Sequence, residues 1–232
     1  MSAKVYPVII LAGGLGTRLR PVISDLPKPM APVNGKPFLH YLFQYLTRYE
    51  ISEAILSVGY RHEAIADFFG NEYLGIKVQY SIEEEPLGTG GAIKKAFELA
   101  DDCAYVLNGD TFFDVNLNEL NAFYIRSNGD IALALKEMVN FDRYGTVSLN
   151  GSGRITQFTE KKFLKKGLIN GGVYFMEKRI FRQVETAEKF SFEKDVLEKY
   201  VGQLNFTGKV FNGYFIDIGI PEDYQRAQSD FG

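Results

Sequence analysis

The stretch Val8-Ile9-Ile10-Leu11-Ala12-Gly13-Gly14-Leu15-Gly16-Thr17-Arg18 most constrains what this chain can fold into. It starts as an apolar run without polar alternation, the pattern of a strand buried on both faces. It then breaks into Gly13, Gly14 and Gly16. Glycine takes positive φ without strain and puts no Cβ in front of a ligand. Successive backbone N–H groups can therefore converge on one anion. Arg18 and, after Pro27, Lys28 add full charges beside those dipoles. A tight turn from strand to helix also uses glycine, but it has no need of two cations beside bare backbone, so the pattern points to bound phosphates. No Lys-Ser or Lys-Thr pair follows at Walker spacing. Leu19 stands where the third glycine of a dinucleotide fingerprint would be.

Downstream, helix and strand patterns alternate. Pro37–Tyr49 reads as a helix with Pro37 in its first turn, after a short extended piece over Ala31–Lys36. Ala54–Val58, Ile76–Ile82 and Ala104–Leu107 read as strands. Arg61–Phe69 and Gly88–Leu99 read as helices between them. Alternation of this kind predicts an α/β fold, Rossmann-like, with a mostly parallel sheet and helices on both faces. Ligands of such sheets bind at the carboxyl ends of the strands, where the glycine loop, Glu83–Gly88 and Asn108–Asp110 should meet. The second half is richer in strands, predicted over Ile131–Lys136, Gly145–Leu149, Ile155–Phe158 and Leu168–Phe175. Gly151-Ser152-Gly153 is a hairpin signal. Lys178–Val184 and Phe192–Tyr200 read as helical, Tyr214–Ile218 as extended, and Pro221 starts a last helix. No Pro-, Gly- or Ser-rich linker divides the chain, so residues 1–232 are expected to form one domain.

A net charge of −3 gives no global attraction to nucleic acid or to an anionic membrane, so any phosphate affinity must be local. The apolar run at Val5–Ala12 is too short to span a bilayer. It leads into Gly-Gly and Arg rather than a cleavage site, and the expected location is cytoplasmic. Cys103, the one cysteine, cannot form an internal disulfide and reads as a buried structural thiol. His40 and His62 fall on helices without an evident partner and read as structural.

Asp110 and Asp217 each follow a buried strand directly, in Leu107-Asn108-Gly109-Asp110 and Phe215-Ile216-Asp217-Ile218-Gly219. Strand-end aspartates also serve as turn and cap residues. Beside a phosphate loop, two of them suit Mg²⁺, which prefers few carboxylates plus phosphate oxygens and water. Glu83-Glu84-Glu85-Pro86-Leu87-Gly88 places acids before a glycine-rich helix start. They complement the helix dipole. On the functional reading, Gly88 lets a ring or ribose approach, and Glu83 accepts from a base. An ionised carboxylate only accepts hydrogen bonds, and guanine offers two adjacent donors, which tilts the reading toward GTP. Asp142-Arg143-Tyr144-Gly145, Thr159-Glu160-Lys161-Lys162 and Ile169-Asn170-Gly171-Gly172 are either ordinary loops or contacts to sugar hydroxyls and a phosphate.

With those residues in view, the sequence resembles the sugar-1-phosphate nucleotidyltransferase family. The carrying motifs are Leu11-Ala12-Gly13-Gly14-Leu15-Gly16-Thr17-Arg18-Leu19, Pro27-Lys28-Pro29, Glu85-Pro86-Leu87-Gly88-Thr89, Gly109-Asp110, Glu160-Lys161, Asn170-Gly171-Gly172 and Asp217-Ile218-Gly219. The resemblance implies that an NTP and a sugar 1-phosphate give an NDP-sugar and pyrophosphate. It implies Arg18 on the leaving pyrophosphate, Lys28 near the sugar phosphate and α-phosphate, and Mg²⁺ on Asp110 and Asp217. It also implies nucleotide contacts at Leu11, Ala12, Gly13, Gly14, Gly16, Thr17, Glu83, Pro86, Gly88 and Asn108. Sugar-phosphate contacts are expected at Tyr144, Gly145, Glu160, Lys161 and Asn170.

Within the family, Phe141-Asp142-Arg143-Tyr144-Gly145-Thr146-Val147 and Tyr214-Phe215-Ile216-Asp217-Ile218-Gly219-Ile220-Pro221-Glu222-Asp223-Tyr224 are similar to the guanylyltransferases acting on D-glycero-D-manno-heptose 1-phosphate. Those enzymes make GDP-heptose for bacterial surface glycans. Ile23 and Lys162 depart from the common family pattern, which has Thr and Pro there. Expected partners are GTP and a sugar 1-phosphate, neither nucleic acid nor membrane, with a homodimer left open. Mannose 1-phosphate with GTP, N-acetylmuramic acid 1-phosphate with UTP, and a sensing subunit without turnover are the rival readings.

Overall fold

The apolar run forms strand β1, Val8–Leu11, with Val8, Ile9 and Ile10 fully buried. The computed structural model describes residues 5–14 and 26–232; Leu15, Gly16, Thr17, Arg18 and Ile23 lie outside the described residues. Parallel strands flank β1 on both sides. After the short antiparallel pair β2 (Pro32–Val33) and β3 (Lys36–Pro37) comes helix α1 (Phe38–Leu46). Strand β4 (Glu53–Val58) pairs with β1 in parallel. Helix α2 (His62–Phe69) and the edge strand β5 (Glu72–Tyr73) lead to β6 (Ile76–Ile82), which is parallel to β4 and antiparallel to β5. Helix α3 (Gly88–Ala96) then returns the chain to β7 (Cys103–Asn108), parallel to β1 on its other side.

The second half adds β8 (Thr111–Phe113), helix α4 (Leu117–Ser127), β9 (Ile131–Phe141), β10 (Thr146–Leu149), β11 (Ile155–Thr159) and β12 (Leu164–Glu177). A turn of 3-10 helix covers Lys178–Arg182, and a wider π turn covers Phe192–Glu198. Strands β13 (Phe206–Phe211) and β14 (Phe215–Asp217) and helix α5 (Pro221–Asp230) complete the chain. Strand β12 lies antiparallel to β7 and β9, and β9 carries β13 in parallel. The sheet is therefore mixed, with a parallel centre of β6, β4, β1 and β7.

Alternate residues of β1 feed two cores. Val8 and Ile10 face the layer of α1, α2 and α4, where Leu42, Phe43, Ile65 and Leu120 pack. Ile9 faces Ile93 and Ala96 of α3, together with Phe192 and Val196 of the π turn. A third cluster seats Tyr224 and Ala227 of α5 on Ile216, Ile218 and Phe38. Helices thus cover both sheet faces, as period-two alternation in a buried strand requires. Among the described residues no helix is long and apolar enough to cross a membrane.

Several element readings need correction. Pro37 belongs to β3 and precedes α1 with extended backbone, ψ 144°, because its carboxyl neighbours start the helix after the β2–β3 hairpin. The first helix stops at Leu46, the helix before β7 stops at Ala96, and Lys178–Val184 shrinks to one 3-10 turn. Cys103 opens β7 and is half-buried rather than sealed. His40 does have a partner, since its Nδ1 lies 2.8 Å from the Tyr73 hydroxyl. Helix α4 lies in a segment that sequence analysis leaves unassigned. Its signals are present in Leu117, Leu120 and Tyr124 at helical spacing and in Asn116, whose side chain accepts from the Glu119 N–H at 3.1 Å.

Candidate active site

Strands β1, β4, β6 and β7 end on one edge of the sheet, and the loops that leave β1, β6 and β7 build the first wall of the site. Leu11, Gly13, Gly14, Lys28, Pro29, Glu83, Pro86, Gly88, Asn108 and Asp110 line one cleft of about 470 Å³. Every predicted nucleotide contact among the described residues stands there except Ala12. That residue is 1% exposed, and its N–H donates to the Ser57 carbonyl at 2.7 Å, which leaves it no donor for a phosphate. Gly16, Thr17 and Arg18 lie outside the described residues.

Glu83 fastens this wall. Its Oε1 accepts from the Ser57 hydroxyl at 3.2 Å and its Oε2 from the Leu87 N–H at 2.9 Å. A Cβ on Gly13 would come within 2.9 Å of Oε1, so glycine there lets the carboxylate lie against the loop. Glu84 and Glu85 point to solvent. At Gly88 φ is +73°, and a Cβ would meet the Phe190 carbonyl oxygen at 2.5 Å. Only glycine satisfies both conditions.

A second cleft of about 570 Å³ opens beside the first. Tyr144, Gly145, Glu160, Lys161, Asn170 and Asp217 all line it, and Asn108 is common to both clefts. Glu160 and Lys161 are exposed at its wall. Asn170 is held from both ends of its amide, donating to the Tyr174 hydroxyl at 2.7 Å and accepting from the Gly172 N–H at 3.1 Å. Tyr144 stands edge-on to Phe215, with ring centres 6.0 Å apart. Its neighbour Arg143 makes an ion pair with Asp223 in the first turn of α5.

Lys28 is placed between the two predicted metal carboxylates. Its ammonium donates to Asp110 Oδ2 and lies 3.6 Å from Asp217 Oδ1. The aspartates are 107 residues apart in the chain, and strand pairing brings them together. Strand β14 lies antiparallel to β8, with Asp217 opposite Thr111, and the Ile218 N–H donates to the Asp110 carbonyl at 3.0 Å. Burial pushes the Asp217 carboxyl above its ordinary range, and the Asp110 charge adds to that push. Lys28, the Gly219 N–H and Arg143 oppose it. Two strand-end carboxylates that share one lysine fit a divalent cation bound in the company of phosphate oxygens. Among the described residues there is no group of three or more His, Cys, Asp or Glu that would hold a metal unaided.

Three kinds of contributor escaped the sequence reading. Thr89 lines the first cleft, Ser191, Glu193 and Lys194 line the second, and Asp223 holds Arg143. Thr89 and Asp223 lie inside stretches already singled out for other residues. Ser191–Lys194 carries no spacing signal, because its role depends on what packs against it.

The chain is similar to curated proteins along nearly its full length. It is 54% identical over 223 residues to the D-glycero-alpha-D-manno-heptose 1-phosphate guanylyltransferase of Aneurinibacillus thermoaerophilus, covering 96% of each chain. It is 53% identical over 216 residues to the enzyme of that name from Campylobacter jejuni subsp. jejuni serotype O:2, covering 93% of this chain and 96% of the other. Among solved structures, HddC from Yersinia pseudotuberculosis superposes with a TM-score of 0.89 at 39% identity, over 98% of this chain and 100% of that one. Its complex with GMP-PN gives 0.86 at 38% identity, with the same coverage. Residues 7–232 match the Nucleotidyl transferase family. A match of that span, on a sheet whose strand ends gather a lysine and two aspartates between two clefts, makes this chain a member of the nucleotidyl transferase family.

Proposed function

We propose that this protein transfers GMP from GTP to D-glycero-α-D-manno-heptose 1-phosphate, giving GDP-heptose and pyrophosphate. The observation that carries the reading is the position of Lys28, Asp110 and Asp217 where the two clefts adjoin. One cleft suits a nucleotide and the other a phosphorylated sugar, so the reacting phosphates meet where both can reach. The heptose 1-phosphate guanylyltransferases that the chain resembles supply the choice of base and sugar. The match to residues 7–232 supports the reading of the chain as one domain. A cytoplasmic location goes with it, since both substrates are small charged metabolites.

A non-bridging oxygen of the sugar phosphate attacks the α-phosphorus, and the bond to the β-phosphate bridging oxygen breaks as pyrophosphate leaves. The nucleophile is already an anion near neutral pH, so no side chain has to remove a proton. The obstacle is the meeting of several negative charges, and positioned cations and dipoles lower it. Lys28 lies between the clefts and steadies the charge shared by nucleophile and α-phosphate. We assign Arg18 to the pyrophosphate and Lys161 to the sugar phosphate. Leu11, Gly13 and Gly14 shape the phosphate wall, with Gly16 and Thr17 continuing it in sequence. Pro86, Gly88 and Asn108 border the base and ribose. Glu83 has lone pairs beyond its two structural bonds, and we assign them to the ring N–H and amino group of guanine. Tyr144, Gly145, Glu160 and Asn170 border the sugar.

Mg²⁺, held by Asp110 and Asp217, would neutralise phosphate charge when bound. Phosphate release in the presence of pyrophosphatase, measured for four NTPs against heptose, mannose and N-acetylmuramic acid 1-phosphates, tests the proposal. GTP with heptose 1-phosphate should give the highest kcat/KM. A better pair elsewhere in the panel would replace the assignment, and no turnover with any pair would return the protein to the sensing reading.

A further inference from the structure

The π turn at Phe192–Glu198 does more than pack against α3. Phe192, Val196 and Leu197 enter the core, while Ser191, Glu193 and Lys194 form part of the wall of the sugar-side cleft. Single π turns recur at functional sites because they push side chains out of the helical register.

Two hydroxyls fix the Glu193 carboxylate, and both have their direction forced. Thr89 Oγ1 accepts from the Phe192 N–H at 2.9 Å, so its one hydrogen goes to Glu193 Oε2 at 2.6 Å. Ser191 Oγ accepts from the Lys194 N–H at 3.2 Å and donates to the same Oε2 at 3.0 Å. Chains of this kind polarise each member in the same sense. Glu193 Oε1 has no partner among the described residues, although its side chain lines the cleft. An ionised carboxylate can only accept, and the donors that a sugar brings are its hydroxyls. In the same cleft, the Asn170 amide donates to the hydroxyl of Tyr174, whose ring packs edge-on against Phe192 with centres 5.4 Å apart.

We infer that Glu193 is a specificity-determining residue for the sugar, accepting a ring or side-chain hydroxyl on Oε1, with Thr89 as its positioning partner. The inference rests on the proposed function for the presence of a sugar in this cleft. Thr89 lines the nucleotide-side cleft and Glu193 the sugar-side cleft, so one hydrogen bond ties the two walls together. A substrate lacking the matching hydroxyl would leave a half-buried carboxylate oxygen without a donor, which is how a site built for a hydroxyl rejects its absence.

The test is steady-state kinetics of wild type, Glu193→Gln, Thr89→Val and Thr89→Ser with GTP and heptose 1-phosphate. In Glu193→Gln the amide carbonyl can keep the two hydroxyls, which turns a donor toward the sugar. Its KM for heptose 1-phosphate should rise about 10- to 100-fold, the scale of a hydrogen bond to a charged group, while the KM for GTP holds. Thr89→Val should raise the sugar KM about tenfold, and Thr89→Ser should restore it. An unchanged sugar KM in Glu193→Gln, or both KM values rising together, overturns the inference. If Glu193→Gln fails to fold, the Thr89→Val and Thr89→Ser pair decides by the same criterion. A wild type inactive on heptose 1-phosphate sinks the proposed substrate instead. The variants are then compared on whichever sugar 1-phosphate of the panel it uses, and the inference falls with the function if it uses none.

Discussion

The nucleotide-side cleft and the sugar-side cleft share Asn108 and adjoin at Lys28, but they are built in opposite ways. The first is made mainly of segments that leave parallel strands, Leu11–Gly14 from β1, Glu83–Thr89 from β6 and Asn108–Asp110 from β7, with Lys28 and Pro29 added from the stretch before β2. Parallel pairing delivers the strand-end segments to one edge without further instruction. Beyond Asn108 and Thr111, the second is made of five separate segments between Arg143 and Ile220, brought in by antiparallel strands, a π turn and an ion pair to α5. The nucleotide wall therefore depends on chain connectivity and the sugar wall on long-range contacts, and substitutions in each should show different signatures.

The largest effect is expected where the two walls adjoin. Lys28→Ala should lower kcat about 10²- to 10³-fold, the scale of one lost preorganised electrostatic group. Near-normal pyrophosphate release would remove Lys28 from the reaction. Asp110→Asn and Asp217→Asn should each raise the Mg²⁺ concentration for half-maximal rate by about tenfold or more. A metal titration that does not move in either variant would take both residues out of the metal site.

A change confined to the nucleotide wall should register there alone. Gly88→Ala forces a Cβ against the Phe190 carbonyl at positive φ. It should cost about 1–3 kcal/mol of stability, visible in denaturant unfolding, and raise the KM for GTP before that for the sugar. On the sugar wall, Asp223→Asn removes the charge that pairs with both Arg143 and Arg226. A loss of about 1–2 kcal/mol with a higher sugar-phosphate KM is expected. If the KM for GTP rises equally, the two walls are not separable.

The smallest effect lies away from both clefts and serves as a reference. Burial lowers the His40 pKa below its ordinary 6.5, and the nearby Lys36 charge lowers it further. The folded state then binds fewer protons at His40 than the unfolded chain does. Stability is complete above about pH 6.5 and falls as the pH drops from there toward the folded pKa. Thermal unfolding of His40→Asn should show a shallower fall in Tm between pH 7 and 5 than wild type. Parallel curves would mean that folding leaves the His40 pKa at its unfolded value.

The contrast between the walls is also one of legibility. The parallel half is readable because the apolar run Val8–Leu11 and the alternating run Ile76–Ile82 have glycines or acids at their ends. Asp110 and Asp217 were readable as strand-end carboxylates, and Lys28 as a charge between prolines. The binding role assigned to Glu83 was incomplete, because a sequence cannot show that Ser57 and the Leu87 amide already occupy its oxygens. Ala12 stood in a glycine-loop motif but spends its amide inside the sheet. Glu193 gave no signal at all, since Thr89, its partner, is 104 residues away.

The sequence by itself determined the alternation of elements, the sheet edge on which ligands gather, and the residue types suited to phosphates. Those depend on local periodicity and on the fixed geometry of parallel strands, which act over a few residues at a time. Only the tertiary structure decided that Asp110 and Asp217 share Lys28, and which oxygen of Glu193 is left for a ligand. Both outcomes come from the register of β14 on β8 and from the packing of the π turn on α3. Contacts between distant segments are selected by mutual burial and hydrogen-bond satisfaction, which no local pattern encodes.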